Sequence, residues 1–125
     1  MRERQSNAVF DSKEREIVRL MRDLGTSKNV AKAVVFLNKT GEATSRTIET
    51  AILLKQSEVS VAIKTMKDRG WIATKSIKKG GKGRPTQMYR LNLPLRRIVK
   101  DIETDKGIEM EETKKKITQL KRLAK

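Results

Sequence analysis

The chain of 125 residues carries 30 lysines and arginines against 15 acidic residues, and this formal charge of +15 favours a polyanionic partner, most often nucleic acid. It contains no cysteine and no histidine, which excludes disulfides, thiolate chemistry and the common zinc and iron sites, so no metal or cofactor is expected. The 36% apolar content suffices for one modest core, and hence for one domain with extensions.

No segment resembles a membrane span or a secretion signal. The longest apolar run, Ala33 to Leu37, is far shorter than the roughly 20 residues that cross a bilayer. The polar start "MRERQSN" lacks the hydrophobic region of a signal peptide. We therefore expect a cytoplasmic protein with no membrane partner.

The positive charge is concentrated in one stretch of the chain. Residues 69–100 hold 10 basic and no acidic residues, whereas residues 1–68 hold 13 basic and 9 acidic ones. A basic face kept only for solubility is the alternative interpretation. Such a face would not need to exclude every Asp and Glu from 32 successive residues, so a binding surface is favoured.

Two amphipathic helices are predicted in the first third of the chain. The segment "SKEREIVRLMRDLG", capped by Asp11 or Ser12, places Ile17, Leu20, Met21 and Leu24 on one stripe. A second helix runs from its cap Ser27 to Gly41. Since it is apolar over more than half its circumference, we expect it at the centre of the fold.

A helix-turn-helix follows. Its first helix, capped by Thr44, covers about "SRTIETAILL", and its second, capped by Ser57, covers "EVSVAIKTMKDRG". In the second helix Val59, Ala62, Ile63 and Met66 recur at the spacing of a buried face. This directs the opposite face outward, where it carries Ser60, Val61, Lys64 and Lys67.

The segments "WIATKSIKK" and "TQMYRLNL" alternate like strands around the loop "GGKGRP". This loop does not match the G-x-x-x-x-G-K-[ST] pattern of a nucleotide-binding loop, and no helix follows it. It is therefore interpreted as the tip of a basic hairpin. The predicted fold is mainly α with a small β-hairpin (α+β), a winged helix-turn-helix with N- and C-terminal dimerisation helices.

The tail carries two apolar patches separated by Gly107, which predicts either one long helix with a weak centre or two helices. A charged, disordered tail beyond Asp105 is the alternative. A core this small cannot cover such a stripe, so we expect a homodimer. The predicted division is an N-terminal dimerisation helix at 1–26, the DNA-binding domain at 27–94 and a C-terminal dimerisation extension at 95–125. The predicted dimerisation residues are Ile17, Leu20, Leu24, Leu95, Ile98, Val99, Ile102, Ile117 and Leu120.

The runs "LLKQSEVSVAIKTMKDRGWI" and "GGKGRPTQMYRLNL" resemble archaeal winged-helix transcriptional regulators of the MarR, ArsR and TrmB type. The resemblance covers roughly Ala43 to Leu93 and implies a DNA-binding regulator. The cysteine and histidine ligands of metal-responsive members are absent, as is the sugar-binding domain of long TrmB-like members. The sequence does not identify an effector ligand, an operator or the direction of regulation.

In a major groove the recognition helix would present Gln56, Ser57, Ser60 and Lys64 to base edges, with Val61 against a thymine methyl group. Ser57 could instead be only a cap, Gln56 and Ser60 polar surface, and Lys64 a phosphate ligand. Of the predicted contacts to the DNA backbone, Arg84 is the best candidate for the minor groove. These backbone contacts are Arg46, Lys55, Lys67, Lys78, Lys79, Lys82 and Arg84.

Two rival functions are a winged-helix RNA-binding protein and a sequence-neutral chromatin protein. Trp71 and Tyr89 lie beside apolar neighbours in predicted strands, which favours packing over base stacking. No enzyme is predicted, because the paired acidic residues, such as Glu109 and Glu112, have no apolar pocket or partner base.

Overall fold

The computed structural model describes residues 9–78, 83 and 85–125, and the chain divides into two compact units, residues 1–95 and 96–125. The elements confirm the predicted mainly α fold with a small sheet. The helices are α1 (Ser12–Asp23), α2 (Lys28–Thr40), α3 (Ser45–Ile52), α4 (Gln56–Asp68) and α5 (Leu95–Leu123), and the strands are β1 (Glu42–Thr44), β2 (Ile72–Ile77) and β3 (Thr86–Leu91).

Helix α1 begins with a reciprocal cap. The Glu14 backbone N–H donates to Asp11 Oδ1 at 2.8 Å, and the Asp11 N–H donates to Glu14 Oε1 at 2.9 Å. Of the two predicted caps, Asp11 is therefore the one used. The predicted apolar stripe is only partly buried: Met21 is buried, but Leu20 and Leu24 are each 46% exposed.

Helix α2 lies at the centre of the first unit, as predicted, and its residues from Val30 to Leu37 are all buried. It contacts α1, α3, α4, β1 and β3. Its first turn is capped by Ser27, whose hydroxyl accepts a hydrogen bond from the Val30 N–H at 3.4 Å. It ends at Gly41, whose backbone φ is +91°. Residues other than glycine rarely adopt this backbone conformation.

Helices α3 and α4 are joined by the three-residue turn from Leu53 to Lys55. The predicted cap Thr44 is confirmed, since its Oγ1 accepts from the Thr47 N–H at 3.1 Å. The predicted cap Ser57 is wrong, because α4 begins at Gln56 and its N-cap is Lys55. Glu58 explains the difference: its Oε1 accepts from the Lys55 N–H at 2.8 Å, so the first turn forms without a Ser57 cap.

The sheet contains a strand that the sequence did not indicate. Strand β3 pairs antiparallel with β2 over six residues, as predicted for the hairpin, but it also pairs with β1, giving the order β1-β3-β2. In this register Ala43 lies opposite Tyr89. A three-residue strand is too short to show alternation, so only its distant partner reveals it.

The second unit consists of a helix that continues through Gly107, which decides between the one-helix and two-helix predictions. Val99, Ile117 and Leu120 are 47%, 48% and 65% exposed, whereas Ile98 and Ile102 are buried. Ile98 and Ile102 were predicted to take part in dimerisation, but they are already buried in the single chain. Among the described residues, no helix is both long enough and apolar enough to cross a membrane.

Candidate nucleic-acid interface

Helix α4 has one buried and one exposed face. Val59, Ala62 and Met66 are between 0% and 2% exposed, and Ile63 is 7% exposed. These positions repeat at i, i+3, i+4 and i+7, so they form one continuous stripe against the core. The predicted outward residues all lie on the opposite face and are exposed, namely Ser60, Val61, Lys64 and Lys67.

Val61 is the least expected side chain on this outer face. It is an aliphatic residue that is 67% exposed, in the middle of an otherwise polar surface. An isolated exposed valine is ordinary by itself. Between Ser60 and Lys64, however, it adds a methyl-bearing contact to a face that also offers a hydroxyl and an ammonium group.

The beginning of α4 lies beside the beginning of α2. A groove of about 340 Å³ lies at this point, and it is lined by Ser57 and Val61 of α4 and by Asn29 of α2 and its N-cap Ser27. Gln56 and Ser57 are exposed in the first turn of α4. The sequence did not predict this proximity, since no local pattern relates the starts of two helices separated by α3.

The lysines of α4 differ in their surroundings. Lys64 Nζ lies 3.3 Å from Asp68 Oδ2, and both side chains are largely exposed. Such a surface ion pair contributes only about 0–1 kcal/mol, so it does not prevent Lys64 from turning toward another anion. Lys67 Nζ lies 5.9 Å from the centre of the Tyr89 ring, at the long end of the range for a cation–π contact.

The remaining predicted backbone contacts lie on several elements. Arg46 is exposed in the first turn of α3, Lys55 is exposed at the N-cap of α4, and Lys78 is exposed directly after β2. The predicted contacts Lys79, Lys82 and Arg84 lie outside the described residues. Strands β2 and β3 pair up to Ile77 and Thr86, the residues on either side of the predicted basic loop.

All four aromatic residues of the chain are buried. Phe10, Phe36 and Trp71 are 3% to 4% exposed, and Tyr89 is 9% exposed. Trp71 immediately precedes β2, and its carbonyl oxygen accepts from the Asn92 N–H at 2.7 Å. The preference for packing over base stacking is therefore confirmed for Trp71 and Tyr89.

No protein-family model and no curated protein matches this sequence. Several solved structures have a similar fold. A possible transcriptional regulator from Methanosarcina mazei Go1 superposes with a TM-score of 0.60 at 14% identity, covering 81% of this chain and 86% of that one. A MarR-family transcriptional regulator from Silicibacter pomeroyi gives a TM-score of 0.52 at 17% identity, over 79% and 64% of the two chains.

A further MarR-family transcription regulator gives a TM-score of 0.54 at 17% identity, and the matched region covers 78% of this chain and 63% of the regulator. These similarities establish the fold. The chain has the winged-helix fold of MarR-type regulators, with α2, α3 and α4 as the three helices and β2 and β3 as the wing.

Proposed function

We propose that this protein is a transcriptional regulator that binds double-stranded DNA as a homodimer, with α4 in the major groove and the wing at 78–85 on the backbone and minor groove. The observation that carries the proposal is the outer face of α4. It presents Ser60, Val61 and Lys64 to solvent while the opposite face is anchored in the core. A rigid, exposed helix of this kind fits the major groove of B-DNA.

The chemistry of that face suits base recognition. The amide of Gln56 can bond to adenine in a bidentate manner, and the ammonium of Lys64 can donate to guanine O6 or N7. Ser57 and Ser60 can each donate or accept a hydrogen bond, and Val61 can contact the methyl group of thymine. These five residues are the proposed base contacts.

The basic residues around α4 would supply affinity without sequence preference. Phosphate contacts fix the orientation of a protein on the duplex, and each released counterion makes binding more salt-dependent. The exposed positions of Arg46, Lys55, Lys67 and Lys78 support this role. Lys79, Lys82 and Arg84 are proposed from the sequence, with Arg84 in the minor groove.

Dimerisation is proposed from the exposed apolar residues of α1 and α5. Leu20 on α1, Leu24 at its C-cap, and Ile117 and Leu120 on α5 are each at least 46% exposed. A second copy of the chain would cover them. A dimer with two α4 helices about 34 Å apart would read a pseudo-palindromic site in successive major grooves.

The rival functions are less well supported. Single-stranded RNA recognition generally stacks bases on displayed aromatic rings, and every aromatic side chain of this chain is buried. A sequence-neutral chromatin protein would explain the charge but gives no reason for a helix-turn-helix with a mixed apolar and polar outer face. The neighbours in fold are transcription regulators, a non-enzymatic class.

The test is selection of bound duplexes from a random DNA library at about 0.15 M salt, with competitor DNA present and the oligomeric state followed by light scattering. The expected result is a pseudo-palindromic motif whose half-sites are about one helical turn apart. Binding that recovers no motif and fades as salt rises would contradict sequence-specific recognition and favour the chromatin or RNA alternative.

A matched pair of variants links the motif to α4. Lys64→Ala lies on the outer face of α4, whereas Lys115→Ala removes the same charge from an exposed position on α5. We expect the first variant to change the recovered motif and the second to leave it unchanged. An identical motif from both would remove Lys64 from the set of base contacts.

A further inference from the structure

Lys32 is a buried lysine in the second turn of α2. It is 7% exposed and is the one charged residue among the buried residues that the structure describes. Its neighbours along α2, Ala31 and Ala33, are buried as well. Removing an ammonium group from water costs free energy unless a counter-charge or hydrogen bonds compensate for it. Among the described residues no side-chain nitrogen is both fully buried and without a hydrogen-bond partner, so the Lys32 ammonium keeps a small contact with solvent, through which an anion can reach it.

Two further cations lie at the same corner. Lys28 is one turn before Lys32 on the same helix, so the two side chains share a face. Arg22 belongs to the last turn of α1, which is joined to α2 by a short turn in which the Thr26 N–H donates to the Met21 carbonyl at 2.9 Å. This turn brings the end of α1 next to the start of α2.

The opposite ends of the two helices are also held together. Lys39 Nζ, in the last turn of α2, lies 3.0 Å from Glu14 Oε1 in the first turn of α1. The helices therefore run antiparallel, with Arg22, Lys28 and Lys32 at one end of the pair. We call these three residues the corner cluster.

The corner cluster contains no compensating acid. Across the described ranges, no carboxylate lies within ion-pairing distance of Arg22, Lys28 or Lys32. The nearest acid in sequence, Asp23, binds Arg19 at 3.0 Å instead. The first turn of α2 also lacks acidic residues, so the partial positive charge of the helix start adds to that of the side chains.

The electrostatic state of Lys32 agrees with this arrangement. Burial lowers the pKa of its ammonium group below the usual value, and the positive charges of Lys28 and Arg22 lower that pKa further. The contributions of Lys28 and Arg22 agree with an accumulation of positive charge at this corner, where the described residues offer no neutralising acid. A bound anion would supply the compensating negative charge.

We propose that the corner cluster is a binding site for a phosphate group. The guanidinium of Arg22 can hold two phosphate oxygens, and the two lysines act as point charges beside it. On α2, these lysines lie on a different side from the residues that face α4 across the groove. The phosphate could belong to a small molecule or to the backbone of bound DNA, and the chemistry of recognition is the same for both.

The first experiment measures binding of inorganic phosphate to the full chain by calorimetry, with chloride at equal ionic strength as the reference. The comparison uses Lys32→Met, which preserves the apolar stem, and Lys115→Met, which removes the same charge from exposed α5. We expect wild type and Lys115→Met to bind phosphate equally, and Lys32→Met to bind it about tenfold more weakly, as for a lost charged hydrogen bond.

The second experiment measures the salt dependence of binding to a mixed-sequence duplex with the same three proteins. If the site holds a phosphate of the DNA backbone, Lys32→Met lowers the slope of log K against log salt by about one unit relative to Lys115→Met. If it holds a small molecule, the slope is unchanged and only phosphate binding falls. Unchanged phosphate binding together with an unchanged slope would overturn the proposal. Neither result bears on whether α4 reads sequence.

Discussion

Lys64 illustrates how the proposed function depends on a single side chain. It lies on the outer face of α4, where it forms an exposed ion pair of 3.3 Å with Asp68. Because such a pair is weak, the ammonium can exchange Asp68 for a base edge at little cost. The same geometry suits a phosphate, so position alone does not distinguish these two ligands.

Lys64→Gln tests which ligand is present. If Lys64 donates to guanine, the variant should lose about 1–3 kcal/mol of discrimination at one base pair of the selected site. This would be measured as relative affinity for duplexes substituted at each position. Lys67→Gln is the control on the same helix, and it should weaken all duplexes alike. Uniform weakening by Lys64→Gln would identify Lys64 as a phosphate ligand.

Lys32 should make the stability of the folded protein depend on pH. Its pKa in the folded protein is lowered, whereas in the unfolded chain it returns to about 10.4. Between these two values the unfolded state binds more protons, so the contribution of Lys32 to stability rises with pH across this window. Below the window the cost of burying the charge is fully present.

We therefore expect Lys32→Met to raise the free energy of unfolding at neutral pH in phosphate-free buffer, with an advantage that narrows as pH rises toward about 10. The charged groups that act on Lys32 are Lys28 and Arg22. Denaturant unfolding between pH 7 and 10 measures the effect. If the variant were less stable than wild type at neutral pH, interactions in the folded protein would compensate for the cost of burying the Lys32 charge.

At the scale of the element, two glycines have opposite roles. Gly107 lies inside α5, where a methyl group would meet no atom within 4 Å. Gly41 ends α2 with a φ of +91°. A methyl group would also meet no atom there, but a residue with a side chain is strained at this backbone angle. The same substitution should therefore have opposite effects at the two positions.

Gly107→Ala should stabilise α5 by about 0.5–1 kcal/mol, because glycine is a poor residue for the interior of a helix. Gly41→Ala should instead destabilise the protein by on the order of 1 kcal/mol, since alanine must adopt a left-handed conformation. Helicity by circular dichroism and denaturant unfolding would measure both. A loss of helicity in Gly107→Ala would show that the helix requires a flexible centre.

At the scale of the whole molecule, exposed apolar residues and net charge determine association. Ile117 and Leu120 are 48% and 65% exposed on α5, which also exposes the apolar residues Ile108 and Met110. The formal charge of +15 opposes association of two chains through repulsion, so a dimer needs an apolar contact to form. It would also make the proposed DNA binding strongly dependent on salt.

The double variant Ile117→Lys, Leu120→Lys should convert a dimer to a monomer, as measured by light scattering, because lysine ammonium groups cannot be buried unpaired in the interface. Lys114→Gln and Lys116→Gln together form a control on the same stretch of α5 and should remain dimeric. An unchanged mass of the first variant would show that α5 beyond Gly107 does not hold the two chains together.

Arg84→Ala tests whether the wing contributes to the electrostatic attraction between the whole molecule and DNA. The variant should flatten the slope of log K against log salt by roughly one unit and leave the selected motif largely intact. Lys115→Ala removes one charge from α5 and is the control for net charge. Equal slopes for Arg84→Ala and wild type would exclude Arg84 from the backbone contacts.

Much of the fold and of the candidate site follows from local rules. The caps Asp11, Ser27 and Thr44 and the stop at Gly41 were predictable, because a helix start needs a side-chain acceptor and a left-handed end favours glycine. The two faces of α4 followed from its spacing. Ser57 was misassigned because Ser57 and Glu58 are both plausible in a first turn, and only the geometry shows which one satisfies the backbone.

The sequence by itself determined which residues share a face, since helical and strand periodicity are properties of the local backbone. Only the tertiary structure decided how much of each face is covered. It buried Val18 but left Leu20 exposed, paired β1 with β3, and placed Lys32 beside two other cations. Burial and pairing depend on partners that lie far apart in the chain, and no local pattern records where those partners are.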